Sequence, residues 1–270
     1  MEKQKSQKGG LDKPYRNNFI LDNSKINMLQ ALIQELQKEK NSKQAEILQR
    51  FFKTGKGQYG EGDIFLGIKV PKQREIAKRY LNLPLPKIQE LLNSKIHEYR
   101  LVGLLILINK FKKSDEIQKG NIFNFYLKNT KNINNWDLVD LSAPNIIGNF
   151  LFDKKKETLY KLVESKNLWE KRIAIISTFE FIKNGEFNDA LRISEILLND
   201  KHDLIHKAVG WMLREIGKKN EKILEDFLKE HYKKMPRTTL RYAIERLDEN
   251  KRKGFLGGGG NAKKTTQRTS

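Results

Sequence analysis

The chain has 270 residues, enough for one large domain or two modest ones, and 38% of them are apolar and 32% charged, with a formal net charge of +20. Cysteine is absent, which excludes disulfides, zinc–thiolate sites and thiol nucleophiles. The last twenty residues carry six bases and no acid and the first twenty-five carry six bases and three acids, so more than half of the excess lies on the body between them. A basic body points to a polyanion such as nucleic acid as partner.

The N-terminal stretch MEKQKSQKGGLDKPYRNNF has no apolar core of the kind a secretory signal carries. The most apolar run, LVGLLILI at 101–108, is far shorter than the ~20 residues needed to cross a bilayer. The expectation is a soluble intracellular protein, with bacterial cytoplasm and eukaryotic nucleus equally open.

Residues 1–25 mix Lys, Asn, Gly and Gln without periodicity and read as a flexible basic arm. From Ile26 a helical rhythm begins: Ile26, Leu29, Leu32, Ile33 and Leu36 recur on one face. Ser42 can cap a second helix that runs through Leu48, Phe51 and Phe52 and ends at Gly55. The segment KTGKGQYGEGD, 53–63, holds four glycines and reads as a loop. Val70-Pro71 starts a third helix, with proline in its first turn. The pattern then predicts helices at about 71–81, 86–93, 95–112, 117–129, 136–152, 155–165, 168–183, 187–198, 203–218, 221–233 and 237–247. No segment alternates with period two. Residues 251–270, with a run of four glycines, read as a disordered basic tail, leaving 26–250 as one all-helical domain.

Four segments align: EYRLVGLLIL, NNWDLVDLSA, EKRIAIISTF and VGWMLREIGK. Their third residues are Arg100, Trp136, Arg172 and Trp211, and TLRYAIERLD adds Arg241 as a looser fifth. The spacing is close to the ~40 residues of a HEAT-like helix pair. The expected fold is therefore all-α, a right-handed superhelical solenoid of HEAT-like helix pairs. Equivalent positions in such a stack sit on neighbouring helices about 8–10 Å apart. Arg100, Trp136, Arg172, Trp211 and Arg241 would then form one column, with Asp140 one turn beyond Trp136 on the same face.

Each of these residues has a plainer role open to it. Arg100, Arg172 and Asp140 could be an Arg–Asp ladder that ties repeats together, and both tryptophans could be half-buried packing residues. Asp137 reads as a carboxylate at the positive end of a helix dipole. Asp140 lies too deep in its helix to be a cap, and a carboxylate in a basic cleft opposes phosphate binding, so it points to a task other than affinity. The glycine loop lacks the order of a nucleotide P-loop, although it could touch a DNA backbone. His202 and His206 lack the intervening Glu of a metalloprotease motif.

NNWDLVD (134–140), LWEKRIAI (168–175) and HKAVGWMLREIGK (206–218) resemble the AlkD-type DNA alkylation repair glycosylases. FKTGKGQYGEGDIFLGIKVP (52–71) and PRTTLRYAIERL (236–247) are also similar to segments of that family. The resemblance implies a monomeric HEAT-repeat enzyme that excises cationic N3- and N7-alkylated purines from double-stranded DNA, without metal or other cofactor. It implies Asp140 as the catalytic aspartate and Trp136 and Trp211 as the aromatic residues on the lesion's deoxyribose. It places Arg172 and Arg214 on the DNA backbone, and Arg100, Arg241 and Lys207 complete the candidate DNA contacts. The alternative is a non-catalytic helical-repeat module that binds nucleic acid or protein.

Overall fold

The computed structural model describes residues 16–257, and their side chains from Asn27 onward. Its helices are α1 (Arg16–Lys38), α2 (Ser42–Phe51), α3 (Val70–Arg79), α4 (Leu85–Leu92), α5 (His97–Lys113), α6 (Glu116–Lys128), α7 (Trp136–Ala143), α8 (Asn149–Leu151), α9 (Glu157–Val163), α10 (Leu168–Ser177), α11 (Phe179–Lys183), α12 (Asn188–Leu197), α13 (Asp203–Lys219), α14 (Glu221–His231), α15 (Arg237–Ala243) and α16 (Glu249–Gly257). The protein is all-α, as its periodicity predicts; a single parallel bridge, Ile64 to Ile96, is the extended pairing among the described residues. None of their helices is long and apolar enough to cross a membrane.

The chain divides into two compact units, 1–54 with 62–106, and 55–61 with 107–270. In the first, Leu32 and Leu36 of α1, Ile76 of α3, Ile88 of α4 and Val102, Leu104 and Ile106 of α5 are fully buried. Between α2 and α3 the chain folds back without regular structure, and buried Glu98 holds it. One Glu98 oxygen accepts the Leu66 N–H at 2.9 Å, and the other accepts those of Gly67 at 2.8 Å and Ile68 at 3.3 Å. Gly67 has φ +84°, and a Cβ there would lie 2.1 Å from the Asn41 carbonyl oxygen, so only glycine fits.

In the second unit the helices stack in pairs. The later members form one row in which α7 packs on α10, α10 on α13 and α13 on α15, while α9 packs on α12 behind them. This is the repeat the sequence predicts, and it puts Trp136, Arg172, Trp211 and Arg241 on four successive row helices. Contact in the row is close: a Cβ on Gly210 of α13 would meet Tyr242 Cβ at 2.5 Å and the Thr239 carbonyl oxygen at 2.6 Å.

Several boundaries differ from the expectation. Asn41, not Ser42, caps α2, accepting from the Gln44 N–H. Residues 16–25 belong to α1, where composition suggested an arm; residues 1–15 of that arm lie outside the described residues. Residues 251–257, read as tail, belong to α16. The Asp248 carboxylate starts that helix by accepting the Asn250 and Lys251 N–H groups, and Phe255 meets Tyr232 edge-on. The rest of the tail, 258–270, lies outside the described residues.

The predicted helix over 136–152 widens into a π turn at Pro144–Gly148. Proline has no N–H for the Asp140 carbonyl, and its ring would clash with that carbonyl in α geometry. The predicted helix over 168–183 breaks at Thr178. There the Ser177 and Thr178 hydroxyls each donate to backbone carbonyls at 2.6 Å and compete with the helical ladder.

Candidate functional site

The site is assembled on α7, α10 and α13. Buried Asn135 starts α7, its side chain accepting the Trp136 N–H, and so fixes where the indole leaves the chain. Asp137 lies in the first turn and accepts the Leu138 N–H at 2.9 Å, in keeping with a dipole-favoured carboxylate. Asp140 follows one turn after Trp136. Behind it the fully buried Tyr126 of α6 bonds Ser142 at 2.8 Å and locks α7 in place.

Arg172 of α10 grips Asp140 with both arms. Its Nε and Nη2 donate to the two carboxylate oxygens, each at 2.8 Å, and its Nη1 donates to the Leu204 carbonyl of α13. The guanidinium is nearly dry, whereas the Asp140 side chain keeps 18% of its surface open. Each carboxylate oxygen has a second lone pair that Arg172 does not use. Burial pushes the Asp140 carboxyl above the usual aspartate range, the Arg172 guanidinium opposes the shift, and nearby Asp137 adds to it.

Aromatic groups lie on the same three helices. Trp136 is half-buried and its indole hydrogen-bonds the Tyr59 hydroxyl. Tyr59 comes from the glycine loop and also meets Trp169 of α10 edge-on, 6.2 Å between ring centres. Burial raises the Tyr59 hydroxyl above the usual tyrosine range, more than the Trp136 bond lowers it, so it stays neutral. Trp211 of α13 is half-buried against Phe179, 5.8 Å between ring centres.

The expected column is thus part surface and part core. Arg172, expected on the DNA backbone, is buried and spent on Asp140 and Leu204. Arg100, expected beside it, is also buried; it lies in the first unit and holds Asp63 at 2.7 Å and the Ser94 carbonyl at 2.8 Å. Both side chains are buried and paired with a carboxylate, the arrangement an Arg–Asp ladder produces. Of the remaining cations, Arg241 is exposed, Lys207 is half-exposed beside Asp203 at 2.7 Å, and Arg214 is largely buried and pairs with Glu245.

Tyr59 was not singled out in the sequence. Its signal is that it is the one aromatic residue in a loop otherwise made of glycine and polar or charged residues. The loop therefore sets an aromatic side chain against Trp136 and Trp169. Gly57 and Gly62 take positive φ, and the bonds Gly57 N–H to Glu61 and Gly55 N–H to Gln58 hold its turns.

Stacked helix pairs with an aspartate clamped by an arginine of the neighbouring helix define the class: a helical-repeat protein with an ion pair between successive repeats. The chain belongs to the family described as DNA alkylation repair enzyme, whose profile matches residues 32–247. A search among curated proteins gives no match. A solved structure described as a predicted DNA alkylation repair enzyme from Enterococcus faecalis is 17% identical, with 78% of this chain and 98% of that one covered, at a TM-score of 0.61. AlkD2 from Streptococcus mutans is also 17% identical, with 76% and 97% covered, at a TM-score of 0.50. At this identity the likeness establishes a shared fold.

Proposed function

We propose that the chain is a DNA glycosylase that hydrolyses the N-glycosidic bond of cationic N3- and N7-alkylated purines in double-stranded DNA, without cleaving the strand. The observation that carries this reading is the Asp140 carboxylate, part open and clamped by Arg172 one turn from Trp136. Family membership supports DNA as the substrate.

Glycoside hydrolysis ordinarily uses two carboxylates, one to protonate the leaving group. A cationic alkylpurine departs as a neutral base, so one carboxylate suffices. As the bond stretches, positive charge develops on the sugar. Asp140, in partly dry surroundings, stabilises that charge and receives a proton from the attacking water through its free lone pairs. Trp136 and Trp211 offer their negative ring faces to the same charge, each worth about 0.5–2 kcal/mol. Arg172 orients the carboxylate and takes no part in binding phosphate. Arg214, Arg241 and Lys207 supply backbone contacts. Because water is the nucleophile, no amine is joined to the sugar and the strand stays whole.

One observation favours the second reading, a binding module without catalysis: a bidentate pair between neighbouring repeats is what a purely structural ladder also produces. The two separate on substrate charge. A glycosylase of this design releases N7-methylguanine and N3-methyladenine from a duplex and leaves neutral hypoxanthine in place, with the strand intact until alkali is added. Duplex binding with no base released from any of the three establishes the module instead.

A further inference from the structure

Trp211 is held differently from Trp136. Its Nε1–H donates to Glu215 Oε1 at 3.0 Å, one turn further along α13. The Glu215 side chain is largely buried, 14% exposed. The same oxygen accepts Lys218 Nζ at 2.7 Å, and Arg214 Nε lies 3.6 Å from it. Phe179 closes on the ring from α11.

Two physical consequences follow. An indole bonded at its N–H and braced by a second ring loses its freedom to swing about the Cβ–Cγ bond. A charged acceptor also polarises the N–H more than a neutral one, which leaves the ring face more electron-rich. Trp136 bonds a neutral hydroxyl, whereas Trp211 bonds a carboxylate. Lys218 and Arg214 compete for the carboxylate in free protein.

We propose that Glu215 is a positioning residue for the reaction, fixing the orientation and electron density of Trp211 where the sugar becomes cationic; this rests on the glycosylase reading given above. The test uses the full chain and two readouts. In single-turnover release of N7-methylguanine, Glu215→Leu slows kcat about tenfold, the size of one cation–π contact, with little change in KM. Glu215→Gln keeps an acceptor and recovers part of the rate. In the second readout, tryptophan emission changes in Glu215→Leu, and that change disappears in a Trp211→Phe background.

An unchanged kcat in Glu215→Leu, or an emission change that persists without Trp211, overturns the proposal. Failure of the wild type to release base is a distinct result: it defeats the glycosylase reading and the catalytic half of this proposal, while the emission cycle alone still decides whether Glu215 holds the indole.

Discussion

At the residue scale, the site turns on one ion pair. Removing one partner of a buried pair strands the other, at a cost of about 3–5 kcal/mol. Arg172→Ala therefore lowers stability by that order in a denaturant titration and slows base release, because Asp140 loses its orientation. Arg172→Lys does not restore the rate, since an ammonium cannot supply two parallel donors to a carboxylate. A pH profile of single-turnover release checks the acid itself. Asp140 must be ionised to act and burial raises its pKa, so the rate falls on acidification at a pH above the ordinary aspartate value of 3.8. A rate that stays flat down to that value shows that the group does not titrate in the reaction.

At the element scale, the row of α7, α10, α13 and α15 was legible because each helix carries the same pattern, a large residue and then apolar residues at helical spacing, at the start of α7 and further along α10, α13 and α15. The row depends on glycine at the contact. Gly210→Ala must push α13 from α15, and overpacking of this kind costs about 1–3 kcal/mol, read as a lowered melting temperature with fold retained by circular dichroism. What the sequence could not show was which column members face water. Arg172 and Trp136 occupy equivalent places in the repeat, yet one is core and the other half-exposed, because Asp140 lies within Arg172's reach and draws it inward. Periodicity also passes over the π turn at Pro144 and the break at Thr178, since apolar spacing continues across both. Tyr59 was hidden for a different reason: a loop has no period, and its partners Trp136 and Trp169 are remote in sequence.

At the scale of the whole molecule, charge governs both DNA affinity and acid stability. Each phosphate neutralised contributes about 0.9 to the slope of log K against log salt. Lys207→Ala and Arg241→Ala each reduce that slope by about 1, while Arg172→Ala leaves it unchanged because its guanidinium is buried against Asp140 and Leu204; duplex titrations over a salt series compare them directly. In the first unit, burial raises the Asp63 carboxyl, but bonds to His97 and Arg100 outweigh it and hold the pKa below the ordinary 3.8. A carboxyl lowered by folding adds stability above its unfolded value and loses it as pH falls through the folded one. Wild-type melting temperature therefore drops below about pH 4, and Asp63→Asn, less stable at neutral pH, shows a shallower drop.

If the Asp140 carboxylate performs chemistry on DNA and does more than tie repeats, its removal must cost rate and spare binding. Single-turnover release of N7-methylguanine from a duplex, compared between wild type and Asp140→Asn alongside duplex affinity, decides this. The wild type releases the base, the variant loses about a hundredfold or more of that rate, and its affinity is equal or higher once the negative charge is gone. Equal release by both proteins, or a variant whose loss of activity merely tracks a loss of DNA binding, contradicts a chemical role for the carboxylate.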